Sequence, residues 1–297
     1  MSDEHFQKGD NAIRAAFSER AGSRLISLLV FIMMLGAGYL FSEYMAYPIA
    51  FTFTITETGQ LAVFLIYLGD LLEIVTWSFG LVIAGFFLFA VNVRTWEWQS
   101  LISPRKKEVL FHLFIIATIL IAGGNIVHVL FNTFNGMVED VAGTNVDGMN
   151  LFVLVYFIDE QVSHAMIHCG IMLILGVVLA SEPVADLPGE VTSAKARATM
   201  LAMLLGFAMG AIQALAALEG QCALIVLAGS WAILITSLSV HYKLGSRSFD
   251  TLRPFERPNL GFLFCLVVSL TIVVVLWGLI FGFWPAYPFF KQPGELF

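Results

Sequence analysis

The sequence predicts an all-α fold, a polytopic integral membrane bundle of seven transmembrane helices. Of the 297 residues, 59% are hydrophobic and 12% are charged, whereas a soluble domain has roughly 25% charged residues. The mean hydropathy is +0.86. Several apolar runs also exceed the ~20 residues that a helix needs to cross the hydrocarbon of a bilayer. We therefore expect this chain to fold within a lipid bilayer.

Seven apolar segments account for most of the chain. Pro48 follows the first, a short segment at 51–59 leads into the second, and Glu219 and Gly220 form a tight turn between the fifth and the sixth. A Gly-rich, acidic loop is predicted at 135–150. The predicted spans are 25–47, 60–92, 109–134, 151–180, 198–218, 221–242 and 259–284.

The distribution of basic residues predicts the orientation. Lys and Arg cluster before span 1 and in the connections after spans 2, 4 and 6. With seven spans, all four of these segments lie on one side, which the positive-inside rule identifies as cytoplasmic. The prediction is a cytoplasmic leader at 1–24, a transmembrane domain at 25–284 and a short external tail at 285–297, in the plasma membrane of a prokaryote.

Composition also limits the partners. No basic tract indicates nucleic-acid binding, and three scattered cysteines give no disulfide framework: Cys169, Cys222 and Cys265. The expected partners are the lipid bilayer, a hydrophobic small-molecule substrate, and a membrane-protein partner or further copies of the chain.

Span 4 carries an unusual density of ionisable residues for an apolar helix. Glu160, His164 and His168 are spaced i, i+4, i+8, so they share one face of a helix. Asp159 precedes them, and the pattern leaves open which of Asp159 and Glu160 faces the site. Ionisable groups inside a membrane are costly and usually face a partner, a cavity or a metal. A functional site is therefore favoured over packing.

Two other spans carry polar residues at helical spacing. Span 2 has Asp70 and Glu73 one turn apart, and span 3 has Asn125, His128 and Asn132 on one face. Counting ~1.5 Å per residue along each helix places these groups, with those of span 4, in the outer half of the bundle. The inner half is nearly bare, which indicates a site open to one side.

Three histidines with carboxylates are a plausible ligand set for a divalent metal, and the sequence does not distinguish zinc, iron and copper. The predicted ligands are His128, His164 and His168, with Glu160 or Glu73 completing the set. Glu160, Asp159 and Glu73 are the candidate general bases or orienting groups, and Ser163 and Asn125 are candidate hydrogen-bond partners of substrate or of a bound water. The competing structural interpretations are a packed His128 bonded to a backbone carbonyl, and a structural hydrogen-bond network around Asp70 and Glu73.

These patterns favour a membrane-embedded metal-dependent enzyme that acts on a lipid-like substrate by hydrolysis or oxygenation. One alternative is a haem-b electron-transfer protein that uses His128 with His164 or His168. A second is a cation- or proton-coupled transporter, against which stand the bare inner half and the lack of repeats.

One His, then an Asp, then His-x-x-x-His in a seven-span chain resembles the alkaline ceramidase and adiponectin-receptor superfamily of membrane hydrolases. That resemblance implies hydrolysis. The chain departs from the pattern at two points: its His pair lies in span 4 and not in the last span, and Gly124 stands where the family has a Ser one turn before the first His.

Overall fold

The computed structural model describes residues 26–38, 47–54, 61–97, 104–142, 146–180, 193–244 and 258–282. Most of these residues are helical. The predicted leader and external tail lie outside the described residues. In chain order the α-helices are α1 (Ile26–Gly38), α2 (Leu68–Glu73), α3 (Val82–Glu97), α4 (Pro104–Ala142), α5 (Val146–Tyr156), α6 (His164–Ala180), α7 (Ser193–Glu219), α8 (Ala223–Leu244) and α9 (Pro258–Phe281).

Five helical stretches are long and apolar enough to cross a membrane: Leu68–Val91, Lys107–Asn135, Asn150–Val178, Ala196–Glu219 and Pro258–Phe281. They coincide with predicted spans 2, 3, 4, 5 and 7. Two shorter apolar helices, Ile26–Gly38 and Ala223–Ser239, lie within predicted spans 1 and 6. The helical membrane architecture therefore agrees with the sequence prediction.

The first part of predicted span 2 is not helical. Residues Pro48–Thr54 (β1) and Leu61–Tyr67 (β2) form an antiparallel pair in which Pro48 is opposite Tyr67 and Thr54 is opposite Leu61. The helix begins only at Leu68, where the Leu68 N–H donates to the Tyr47 carbonyl oxygen at 2.8 Å. The segment Leu61–Tyr67 is seven apolar residues, and so short a run does not distinguish a strand from a helix.

The predicted loop at 135–150 is also corrected. Helix α4 continues to Ala142 and α5 begins at Val146, so most of that segment is helical. Gly residues in this stretch suggested a loop, but a helix can accept a glycine at a cost of about 1 kcal/mol.

Helices α4 and α6 pack closely because each carries a glycine at the crossing. A Cβ on Gly124 would lie 2.8 Å from the Ser163 carbonyl oxygen, and one on Gly170 would lie 2.7 Å from the Ala117 carbonyl oxygen. Small residues at such crossings let two helix backbones approach in a membrane. This approach brings the polar faces of predicted spans 3 and 4 into contact.

A second close crossing joins α7 to α9, and it gives a stability prediction. A Cβ on Gly206 would overlap the Phe262 carbonyl group of α9. Gly206→Ala should therefore cost about 1–3 kcal/mol of unfolding free energy, since neither backbone can yield locally. Gly229→Ala is the control, because within the described part of the chain nothing beyond its own helix backbone and its chain neighbours lies within 4 Å of its Cβ position. Thermal unfolding in detergent checks this, and equal shifts for the two variants would contradict it.

Candidate functional site

Two π-helical segments adjoin the polar residues of predicted spans 2 and 4. Ile74–Leu81 follows Glu73 and joins α2 to α3, and Phe157–Ser163 joins α5 to α6. A π-helix pairs residue i with i+5, and single π turns are frequent at functional sites. Asp159 and His164 are five residues apart, so the widened turn brings both towards the same neighbour, His128 of α4.

His128 lies between two carboxylates. Its Nδ1–H donates to Asp159 Oδ1 at 2.8 Å, and its Nε2 faces Glu73 Oε2 at 3.9 Å. All three side chains are buried. The His128 imidazole therefore hydrogen-bonds to a carboxylate. The structural interpretation predicted a bond to a backbone carbonyl instead.

Glu73 extends this contact into a chain of buried hydrogen bonds. Asn125 Nδ2 donates to Glu73 Oε1 at 2.7 Å, and Ser78 Oγ donates to Asn125 Oδ1 at 2.9 Å. One turn before Glu73, Asp70 Oδ1 accepts a hydrogen bond from Asn132 Nδ2 at 3.3 Å. The polar faces of predicted spans 2 and 3 thus meet, and Glu73 is held on one oxygen while the other faces His128.

His164 and His168 follow the second π-helical segment. The His164 ring meets the His128 ring edge to face with centroids 4.6 Å apart, and the His168 ring lies 6.3 Å from that of His164. His164 Nε2 is 4.0 Å from Glu160 Oε2. Neither ring nitrogen of His164 has a hydrogen-bond partner among the described residues. We name Glu73, His128, Asp159, Glu160, His164 and His168 the acidic–histidine cluster.

Helix α7 forms one wall of this cluster, which the sequence patterns did not predict. Gln213 Nε2 lies 2.6 Å from His168 Nδ1, and the Ala216 carbonyl lies against the same ring. At Gly220 a Cβ would overlap the His164 imidazole. Gln213 and Ala216 of α7 and Gly220 of the turn that follows it are spaced i, i+3, i+7, so they lie on one side and contact the two imidazoles. This spacing is visible in the sequence, but Ala216 and Gly220 have no polar side chain that would identify them as part of a site.

Ser163 does not point a hydroxyl hydrogen into the cluster. Its Oγ donates to the Asp159 carbonyl oxygen within the same helix. This bond suits a hydroxyl inside an apolar helix, where a local backbone carbonyl is the nearest acceptor.

The potential metal-binding side chains of the cluster lie close together in pairs. Within the described ranges, no three His, Cys, Asp or Glu side chains are placed to hold one metal ion together. The closest pairs are His128 with Asp159, His128 with Glu73, and His164 with Glu160. To add a third ligand to the His128–Glu73 pair or to the His164–Glu160 pair, a further side chain would have to rotate towards it.

No protein-family model, curated protein or solved structure matches this chain. Function must therefore be argued from the site itself. None of the seven predicted spans contains a Lys or Arg. A buried carboxylate needs a proton, an imidazolium or a metal ion to balance it.

Proposed function

We propose that this protein is a membrane-embedded metal-dependent enzyme that acts on a hydrophobic, lipid-like substrate. The observation that carries the proposal is the position of His128, held at Nδ1 by Asp159 with its Nε2 turned to Glu73. Metal-binding histidines commonly donate their second ring nitrogen to a carboxylate in this way, which fixes the tautomer and the ring orientation.

The charges of the acidic–histidine cluster support a divalent cation. Glu73 and Asp159 are buried beside imidazoles, and the predicted spans contain no Lys or Arg. A divalent cation would balance two carboxylates at once. After rotation of side chains towards one point, His128, His164 and His168 would bind it, with Glu73 or Glu160, and the carboxylate left unbound would be the general base. Zinc would supply a water activated for hydrolysis, and iron or copper would supply oxygenation chemistry.

The proposed setting is a seven-span bundle with a cytoplasmic N-terminus, in the plasma membrane of a prokaryote. The cluster lies among helices whose outer faces are apolar and exposed, for example at Phe79, Ile126 and Val162. A substrate dissolved in the bilayer would reach such a site from the side. This placement favours a lipid-like substrate over a polar one.

A haem held between His128 and His164 is not favoured by the geometry, and the visible spectrum below tests the pairing of His128 with His168. An iron with two axial imidazoles lies between their rings, but His128 and His164 are already in edge-to-face contact at 4.6 Å. His164 and His168 lie on the same helix, one turn apart. The transporter alternative uses the same carboxylates, and the metal analysis below separates it from the enzyme.

Elemental analysis of detergent-purified protein tests the proposal, with a visible spectrum on the same sample. We expect about one zinc, iron or copper ion per chain. His128→Ala and His164→Ala should lose it, since each removes a ring nitrogen at the centre of the cluster. His112→Ala is the matched control, because His112 is exposed and its Nδ1 lies 2.8 Å from its own helix's Glu108 carbonyl oxygen.

The outcomes separate the alternatives. Stoichiometric zinc without colour would direct the search to lipid hydrolysis, and coloured iron or copper without a Soret band would direct it to oxygenation. A Soret band would replace the proposal with a haem protein. Wild-type protein without metal, even after metal is offered, would refute the enzyme proposal and favour proton-coupled transport.

A further inference from the structure

Helices α7 and α9 lie side by side and run in the same direction. A Cβ on Gly206 of α7 would overlap the Phe262 carbonyl group of α9, and a Cβ on Gly210 would overlap the Leu266 carbonyl oxygen. Both contacts have the same offset along the chain. One turn further along, this register places position 213 of α7 level with position 269 of α9.

Three helices bring polar side chains to this level, which are those of His168, Gln213 and Ser269. A Cβ on Gly210 would lie 2.9 Å from Ser269 Cβ, so the Ser269 side chain faces α7. Gln213 Nε2 lies 2.6 Å from Nδ1 of His168, which belongs to α6. Gln213 is 0% exposed, and His168 and Ser269 are each 1% exposed. All three side chains are therefore buried between α6, α7 and α9.

Each of these side chains has a buried polar atom without a hydrogen-bond partner among the described residues. The atoms are His168 Nε2, Gln213 Oε1 and Ser269 Oγ. His168 Nε2 and Ser269 Oγ lack a partner whichever atom donates in the Gln213–His168 contact. Buried polar groups of native proteins bond to protein, to ordered water or to a ligand in the large majority of cases. Three such atoms at one level of the bundle indicate a bound group.

The chemistry of the three side chains suits a hydroxyl group. A serine hydroxyl both donates and accepts, and so does a glutamine amide, while an imidazole nitrogen does one or the other. Predicted span 7, which contains Ser269, has no charged residue, and none of the predicted spans contains a Lys or Arg. An uncharged group that donates and accepts therefore fits this place better than an anion does.

We propose that His168, Gln213 and Ser269 form a binding site for a hydroxyl group, which we name the hydroxyl site. The hydroxyl belongs to a buried water molecule or to a lipid. A water would complete an internal hydrogen-bond network. A lipid hydroxyl would hold the polar end of the substrate beside the acidic–histidine cluster. The site needs no metal ion, and its lipid source alone rests on the proposed function.

Ser269→Ala tests whether the Ser269 hydroxyl has a partner in the protein. With the site occupied, removal of one hydrogen bond should lower the folding equilibrium constant about 2- to 12-fold. With the site empty, alanine would remove a buried polar group that bonds to nothing, and the constant should stay equal or rise. Equilibrium unfolding of the detergent-purified protein measures the direction of the change, and an equal or higher constant would overturn the inference.

Ser230→Ala is the matched control. Ser230 is also fully buried in an apolar helix, but its Oγ donates to the Val226 carbonyl oxygen of its own helix at 2.7 Å. Its removal leaves no other side chain without a partner, so the folding constant should change less than at position 269. Equal losses at the two positions would overturn the inference, because the loss would then be a general effect of truncating a buried serine.

Nitrogen NMR of the full-length protein identifies the occupant. The protein is deuterated, carries 15N-histidine and is placed in bilayers of deuterated phosphatidylcholine with monooleoylglycerol. The His168 signals are assigned by their loss in His168→Gln. We expect magnetisation transfer to His168 from water protons or from the glycerol C–H protons, and weaker transfer in Ser269→Ala. Transfer from neither source in the wild type, or unchanged transfer in Ser269→Ala, would overturn the inference.

The two sources give separate results. Transfer from water alone would assign the hydroxyl site to an internal water molecule. Transfer from the glycerol protons would assign it to a lipid hydroxyl and would support the lipid-like substrate. Metal content is measured on separate samples of the same protein. Absence of metal would refute the proposed enzyme while the hydroxyl site stands, and a wild type without either transfer would overturn the hydroxyl site while the metal proposal stands.

Discussion

Asp159→Ala should be among the most damaging single substitutions in this chain. It removes the acceptor of the His128 Nδ1–H and leaves the buried imidazole with the Glu73 carboxylate 3.9 Å from its Nε2. Removing one partner of a buried ion pair typically costs about 3–5 kcal/mol, because the remaining group stays desolvated. We also expect loss of bound metal, since His128 would no longer be held in one orientation. Unfolding in detergent and elemental analysis measure the two effects.

Glu160→Ala is the matched control, because it makes a similar truncation at the next residue. The Glu160 side chain is 18% exposed, and its nearest imidazole nitrogen is 4.0 Å away. A partly solvated pair at that distance contributes about 1 kcal/mol or less. Equal destabilisation by the two variants would contradict the central role that the structure gives to Asp159.

The sequence alone did not predict which of these two acidic residues contacts His128. Adjacent residues on a helix point ~100° apart, so the i, i+4 spacing favoured Glu160 with His164 but could not place Asp159. In the structure the π-helical segment at Phe157–Ser163 brings Asp159 to His128, while Glu160 lies beside His164. A π turn depends on how the helix fits against α4, and a single sequence carries no clear signal for it.

The helical spans were predictable for a physical reason. A backbone in hydrocarbon has no water to hydrogen-bond with, so each span must pair its own N–H and C=O groups, as a helix does. A sufficiently long apolar run therefore predicts a helix. That argument does not apply at the ends of a span, where water and loops compete. The errors fall there: strand β2 occupies the predicted start of span 2, and α4 extends beyond Phe134.

The contacts of α7 with His164 and His168 were not predicted from the sequence, for a different reason. Gln213 was visible as a polar residue in an apolar span, but its meaning depends on a partner 45 positions away. Gly220 was interpreted as a turn residue, which is correct, since it ends α7 and its N–H donates to the Ala216 carbonyl oxygen. Its contact with His164 could not be inferred from the turn, because that contact depends on the packing of α7 against α6.

Gly220→Ala should therefore disturb the cluster without touching a polar group. The added Cβ would overlap the His164 imidazole, and the turn cannot move aside easily. Three backbone hydrogen bonds hold it, from the Gly220 N–H to Ala216 at 3.0 Å, from the Gln221 N–H to Leu218 at 3.2 Å and from the Cys222 N–H to Ala217 at 2.9 Å. We expect a loss of about 1–3 kcal/mol of stability, as for other overpacked sites, together with loss of bound metal. Gly176→Ala is the control, since its Cβ would lie an ordinary 3.8 Å from Ile233.

A double substitution shows whether the damage passes through His164. In a His164→Ala background the ring is gone, so the Cβ at position 220 has space, and Gly220→Ala should then cost almost nothing in unfolding free energy. The two substitutions would be strongly non-additive, as expected for residues in direct contact. Metal would stay absent in the double variant, because the ligand itself is missing. Additive costs would instead locate the strain in the turn, and the close fit of α7 to His164 would have no part in the site.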